Sequence, residues 1–393
     1  MTGLVSENLT SMQRKTVVLV CMVDSIHVAR WLAQFDPTEV KFILFPSGPN
    51  RVIHPRIIEL IREGEKFDHQ ISLYPFGGRL SLMLWGLDRF LGDRLRGRIL
   101  RQLLKKVKPD YVHALELQHA GYLTSRCLED KTLTTPFIAT NYGSDIFWFE
   151  RFNKHKKRIQ AVLNRAQRYS AECSRDVELA KKLGFNGLTL PVFPNSGSLD
   201  VGDFSIDTIE ASRRKKIAIK GYQGWAGRAE AIVNALLKNP EVLDGFELNF
   251  YSVNLRLVPK LLWLRWRHGI KVNIFAKGAL SHDQLMSLLS ESRIYIGASM
   301  TDGISTSFLE ATAMGAFPIQ TSTACVREWA VNGFCGEVLD DLGPNSIIQA
   351  IKKALAATEV PNSSFEEFRT ALLKRVSKEN ATAVARQFYD LAL

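Results

Sequence analysis

The 393-residue chain carries 51 Lys and Arg against 40 Asp and Glu, a formal net charge of +11. Its 46% hydrophobic and 10% aromatic content supplies buried cores and excludes a chain disordered throughout. The longest apolar run, Val17 to Val23, has seven residues against about 20 for a bilayer span, which excludes a transmembrane helix.

The length predicts two domains, with room for a third. The polar start, Met1 to Lys15, has no signal-peptide stretch and predicts a cytoplasmic chain. Five cysteines (Cys21, Cys127, Cys173, Cys325, Cys335) with no CxxC pair predict neither a disulfide framework nor a zinc ribbon. Charge is uneven. Residues 1–200 hold 29 Lys and Arg and 20 Asp and Glu, net +9, and residues 201–393 hold 22 and 20, net +2. The first half is therefore expected to face something acidic.

In chain order, Thr16 to Val23 reads as a buried parallel strand, being short, β-branched and continuously apolar. His27 to Phe35 follows as a helix and Val40 to Phe45 as a strand. Leu80 to Lys108 reads as helical or broken-helical, Asp110 to Leu115 and Phe137 to Asn141 as strands, and Arg151 to Ser170 as a basic helix. The pattern lapses between Pro191 and Ser212, as in an interdomain linker. Strands are then predicted at Lys216 to Lys220, Glu247 to Ser252, Val272 to Ala276, Ile294 to Ala298 and Phe317 to Gln320. Helices fall at Ala226 to Lys238, Asp283 to Ser290, Ser307 to Met314 and Asn345 to Ala357. Such alternation implies an α/β fold of two doubly wound, Rossmann-like domains. These take residues 1–200 and 201–375, and residues 376–393 form a C-terminal helix expected to pack back on the first domain. Ligands of such sheets bind at the carboxyl ends of strands, so the expected site is the cleft between the domains.

Within Ile294 to Ile319, a strand enters the loop Thr301-Asp302-Gly303-Ile304-Ser305-Thr306 and then a helix. Gly303 relaxes the backbone, and Ser305 or Thr306 suits the N-cap. Free N–H groups and the macrodipole at that helix start suit a diphosphate. Glu310, on the helix eight positions after Asp302, can accept hydrogen bonds from ribose hydroxyls.

The Asp302-x7-Glu310 stretch, with Ala311 to Ile319 after it, resembles the E-x7-E region of retaining glycosyltransferases of family 4, whose two-domain fold is called GT-B. Asp302 stands in place of the usual first Glu. The resemblance implies that Glu310 holds the donor ribose and Asp302 contacts the transferred sugar. Lys220-Gly221-Tyr222 and Gly227-Arg228 occupy the place of the family's phosphate-binding basic residues, and Lys277 is a third cation aimed at the same sheet edge. Arg327-Glu328-Trp329, then Asn332-Gly333 and Gly336, look like the family's following segment. Lys and Arg cations and helix N–H groups can stabilise a leaving nucleoside diphosphate without a metal. No Asp-x-Asp pair is present, so no metal or other cofactor is expected.

In the first half, Asp24 to Leu32 resembles the family's opening strand-to-helix loop, which places Ser25, His27 and Arg30 at the cleft. The resemblance puts His119 near the transferred sugar, while His113 is expected to pack at a strand end. Asn141-Tyr142-Gly143-Ser144-Asp145 resembles a cleft loop in which Asp145, like His119, orients the acceptor hydroxyl. Retaining enzymes of this kind are read as front-face substitutions in which the leaving phosphate oxygen takes the acceptor's proton.

Arg79 to Lys108 interleaves nine basic residues with bulky apolar ones, and Lys260 to Lys271 has the same character. That composition suits an anionic membrane surface, at the inner face of the plasma membrane. No recognised motif accompanies the charge, so nucleic acid is not an expected partner. The reading is a retaining, hexosyltransferase-type glycosyltransferase that moves a sugar from a nucleotide-sugar to a saccharide or lipid-linked acceptor, in cell-surface glycan or glycolipid synthesis. The alternatives are a sugar-nucleotide epimerase or hydrolase of the same fold and a non-catalytic binding protein.

Overall fold

The structure is a computed structural model that describes residues 14–48, 52–67, 70–74, 78–195, 197–199, 210–329 and 335–392. Nearly all of the polar N-terminal stretch, half of the linker and the Asn332-Gly333 pair lie outside those residues.

Two sheets organise the molecule. The first contains β1 (Lys15–Cys21), β2 (Val40–Pro46), β3 (Ile71–Leu73), β4 (Tyr111–Leu115), β5 (Phe137–Thr140), β6 (Arg168–Ser170) and β7 (Leu188–Thr189), in the order β3-β2-β1-β4-β5-β6-β7. The second contains β8 (Lys216–Lys220), β9 (Glu247–Val253), β10 (Lys271–Ala276), β11 (Ser292–Gly297), β12 (Phe317–Thr321) and β13 (Glu337–Leu339), in the order β10-β9-β8-β11-β12-β13. Every pairing is parallel, with Val18 between Ile43 and Val112 in the first sheet and Ile296 between Ile219 and Ile319 in the second. Helices cover both faces, so β1 and β11 bury nearly every residue, which is why their sequences are apolar runs rather than alternations.

One predicted element differs from the sequence expectation, and a second takes the broken-helical form that the expectation allowed. Arg151 to Ser170 is a helix over Asn153–Leu163 followed by β6. Leu80 to Lys108 is two helices, Gly78–Leu91 and Arg94–Val107. They break at Gly92-Asp93, both at positive φ, where Asp88 turns back to accept the N–H groups of Leu95 and Arg96.

The chain crosses between lobes twice. Asn195 still belongs to the first lobe, donating to the Asn141 carbonyl, whereas Leu199 packs in the second core and donates to the Val376 carbonyl. After Ser377, the helix Lys378–Gln387 returns to the first lobe, where Phe388 and Tyr389 join the core under β1. The Tyr389 hydroxyl accepts from Trp31 Nε1 (3.2 Å) and pairs with His113 Nδ1 (2.7 Å), while His113 Nε2 pairs with Thr140 (2.7 Å). His113 is thus a packed core histidine, and burial lowers its pKa to about 3.

Candidate active site

Strand order reverses between β1 and β4 in the first sheet and between β8 and β11 in the second, and the crevice outside such a reversal is where ligands of these sheets bind. At those carboxyl ends lie Ser25 to Arg30 and Glu116 on one side, and Lys220 to Tyr222 and Ala298 to Ser305 on the other. A pocket of about 200 Å³ opens there, lined by Ser144 of the first lobe and by Lys220, Tyr222, Thr301, Asp302 and Ser305 of the second.

The second-lobe wall forms as its local sequence dictates. Ser305 caps the helix Thr306–Ala313, its hydroxyl accepting from the Phe308 N–H, and leaves the first-turn N–H groups at the pocket end. Ile304 turns inward into the second core and does not line the pocket. Burial raises the Asp302 pKa; Lys220, the Gly303 N–H and Arg175 oppose that rise. Burial also raises the pKa of Glu310, against the pull of Arg30 and Lys220. Lys220 is therefore the cation common to both acids. Arg30 of the first lobe reaches over the cleft to Glu310, with Nη2 3.9 Å from Oε1.

The lobes meet glycine on glycine. A Cβ on Gly143 would sit 1.8 Å from the Gly303 nitrogen, and a Cβ on Gly303 would sit 2.5 Å from Glu172 Oε2. No side chain fits at either position with the lobes at this spacing. Around this junction, three polar atoms are buried without a hydrogen-bond partner: His27 Nδ1, the Tyr142 hydroxyl and Thr301 Oγ1. Burial, with Arg30 and Lys220 nearby, lowers the His27 pKa to about 4, so its ring is neutral at pH 7. Ser25 supports this corner by accepting the His27 N–H at 3.2 Å.

Other expected residues sit differently. The Arg228 guanidinium is held by the carbonyls of Gly224 (2.9 Å) and Gly227 (2.7 Å) and by the Met300 sulfur, so it braces its own loop. Lys277 is exposed beyond the edge strand β10, two strands from β8. The His119 side chain is exposed. Asp145 is buried, and its Oδ2 accepts the N–H groups of Leu117 (2.7 Å) and Tyr142 (3.2 Å), tying the β4 loop to the β5 loop. Glu116, at φ 91°, likewise turns its carboxylate onto the N–H groups of His119 and Ala120. Thr306 is half-buried at the helix start.

Glu172 and Arg175 join the site without having been singled out from the sequence. Glu172 accepts the Gly143 N–H (3.1 Å), and burial beside Asp302 raises its pKa to about 8. Arg175 donates across the lobes to the carbonyls of Asp302 (2.8 Å) and Thr323 (2.9 Å). Both follow β6, a three-residue strand hidden behind a basic helix. Recognising β6 would have placed both at a carboxyl end.

The family model described as Glycosyl transferase 4-like matches residues 16–171, and that described as Glycosyl transferases group 1 matches residues 260–367. Among curated proteins, a phosphatidylinositol N-acetylglucosaminyltransferase subunit from Arabidopsis thaliana is 25% identical over 130 residues, a stretch spanning 33% of this chain and 28% of that protein. Similar solved structures include sucrose-phosphate synthase from Thermosynechococcus elongatus (TM-score 0.69, 13% identity, 96% of this chain and 98% of that one). A glycosyltransferase from Rickettsia africae superposes comparably (TM-score 0.68, 15% identity, 96% and 98%). So does Anabaena HepE in complex with UDP and glucose (TM-score 0.61, 13% identity, 96% of each).

Proposed function

We propose that this chain, which belongs to the family 4-like glycosyltransferases of GT-B fold, is a retaining enzyme that moves a sugar from a nucleotide-sugar to a lipid-linked acceptor. The observation that carries the reading is the pocket wall itself: Lys220 and Asp302 line it together with Ser305, the cap of the Thr306 helix, and Lys220 acts as a nearby positive charge on both Asp302 and Glu310. In the proposed reaction Glu310 holds the ribose, and Lys220 and the helix N–H groups take the diphosphate. Charge grows on the leaving phosphate as the glycosidic bond breaks, and preorganised cations and N–H dipoles stabilise that charge selectively in the transition state. Asp302 orients the sugar, and the departing phosphate oxygen accepts the acceptor's proton on the same face. No divalent metal is needed for this charge balance. The UDP and glucose bound to Anabaena HepE make a UDP-sugar the first donor to try.

The lipid-linked acceptor rests on helix Gly78–Leu91. It buries Ser81 and Asp88 yet exposes Leu80, Met83, Leu87, Phe90 and Leu91, with Phe90 89% exposed. These fall at helical spacing on one face, the reverse of a helix packed on a core. Asp88 is buried because Arg96 pairs with it at 3.1 Å; Arg96 therefore leaves the basic surface to Arg94 and Arg98. In the second lobe, Leu255, Trp263 and Trp266 are exposed beside Arg265 and Arg267. Apolar anchors among cations fit an anionic bilayer surface.

The test incubates the protein with UDP-, GDP- and ADP-sugars, with and without anionic vesicles, following nucleotide release and the anomeric configuration of any glycoside. Transfer with retained configuration and unaffected by EDTA supports the reading. An inverted product overturns retention, and release without a glycoside favours hydrolysis. Vesicle binding that ignores both salt and Met83→Ser/Phe90→Ser overturns the membrane face.

A further inference from the structure

The contact between lobes also brings two thiols together. Cys173 precedes the helix Ser174–Lys182 in the first lobe, and Cys325 follows β12 in the second. Both are buried, Cys173 completely and Cys325 to 8% exposure. Their sulfurs and a Glu328 carboxylate oxygen all lie within 4.8 Å of one another, and the thiols are hydrogen-bonded. Cys325 adopts φ 49° and ψ 27°, a left-handed conformation that non-glycine residues rarely take.

A metal and a disulfide compete for such a cluster. The Glu328 oxygens already accept the Ser174 and Arg175 N–H groups, capping that helix, and the Arg175 guanidinium acts on Cys173 as a nearby positive charge. A resident cation and an engaged carboxylate disfavour a divalent ion, which leaves the sulfur pair. We propose that Cys173 and Cys325 are a thiol-modification site that forms a reversible disulfide across the lobes and fixes the cleft at its closed spacing.

The oxidant is a small disulfide of the glutathione type. The Cys325 thiolate attacks one of its sulfurs and expels one thiolate, which takes a proton. The Cys173 thiolate then attacks the Cys325 sulfur of the mixed disulfide and expels the second. Two protein thiols are oxidised, and the reagent is reduced to two thiols. The hydrogen bond to Cys325 and burial hold the Cys173 thiol protonated while the lobes touch. The first attack therefore occurs when they part, and the second completes on closure. Neither sulfur lines the pocket, but Arg175, two residues after Cys173, donates to the Asp302 carbonyl. The bond would hold the Asp302 loop against the first lobe and block the opening that donor entry and product exit require.

The experiment treats the full chain with oxidised glutathione, alkylates remaining thiols and maps peptides without reduction. The expected product is a Cys173–Cys325 cross-link, with nucleotide release roughly tenfold slower and restored by dithiothreitol. Cys173→Ser and Cys325→Ser should each abolish that slowing. Both thiols alkylated after oxidation, a bond to Cys335 instead, or stoichiometric zinc on these sulfurs would overturn the proposal. So would a cross-link that leaves release unchanged. Mapping needs no transfer assay, so failure of the glycosyltransfer reading is told apart from failure of the disulfide.

Discussion

At the carboxyl ends of β4 and β5, Glu116 and Asp145 are acids whose oxygens are filled by backbone N–H groups of the same lobe. At the carboxyl ends of β8 and β11, Lys220, Thr301 and Asp302 line open space, and the Thr301 hydroxyl has no partner. The two walls share one fold and differ in where their polar groups point. An acid filled by N–H groups of neighbouring loops holds those loops in shape, whereas Asp302, which accepts the adjoining Gly303 N–H at 3.1 Å, still faces the pocket and a ligand there. Substitutions in the first wall should therefore cost stability, and those in the second should cost turnover.

The largest effect is expected at Lys220. Lys220→Ala should lower turnover about 10²–10³-fold with an unchanged melting temperature, and Lys277→Ala should stay within about twofold, because Lys277 stands in solvent off the pocket. Equal losses at the two lysines would erase the distinction between pocket and edge. Next is Asp145→Ala. It leaves the Leu117 and Tyr142 N–H groups buried without an acceptor, which should cost about 2–4 kcal/mol in denaturant unfolding. Residual turnover should then track the folded fraction. A fully folded variant with a large turnover defect would move Asp145 from scaffold to chemistry.

How far these roles were legible depends on how local their causes are. The Asp302 loop, its Ser305 cap and Glu310 form one continuous segment, so cap chemistry and spacing read them together from sequence alone; Asp302 and Ser305 line the pocket, and Glu310 is buried behind it on the Thr306 helix. Asp145 is different: its partner is the N–H of Leu117, 28 positions away, and only the pairing of β4 with β5 brings them together. Arg228 fails for a related reason. A guanidinium in a Gly-rich loop looks free until the loop folds and offers its carbonyls. Glu172 was hidden by β6, whose three residues carry no alternation to distinguish them from the end of a helix. The strands β1, β2, β4 and β5 of the first sheet and β8 to β12 of the second fall where the apolar runs predict them, because a buried strand leaves a signature that needs no partner to be read; strand order depends on pairing and leaves none.

A smaller effect is expected where the walls touch. Gly143→Ala adds a methyl where the Gly303 nitrogen lies, so the lobes must separate by more than an ångström for it to fit. Catalytic groups carried on opposite walls then miss their geometry, and turnover should fall about 10–100-fold while each lobe's stability is kept. Crystallised or scattering-measured spacing that is unchanged in this variant, with full turnover, would show that the contact is incidental.

The smallest effect tests whether Glu172 belongs with the satisfied acids. Its pKa stands at about 8 in the folded chain because it is buried beside Asp302, against about 4.3 in an unfolded one. Between those values the folded state binds the extra proton, so Glu172 stabilises the fold fully below about pH 4.3 and that contribution is lost as pH rises through 8. Unfolding free energy should therefore decline with pH in this window, with a Glu172 share of up to about 1.4 kcal/mol per pH unit. Glu172→Gln keeps the shape and removes the charge, so it should flatten the decline and leave the protein more stable than wild type at pH 8. A slope untouched by the substitution would mean that the carboxyl ionises in place, and that the lobes meet through a charged Glu172 facing Asp302 rather than a protonated one.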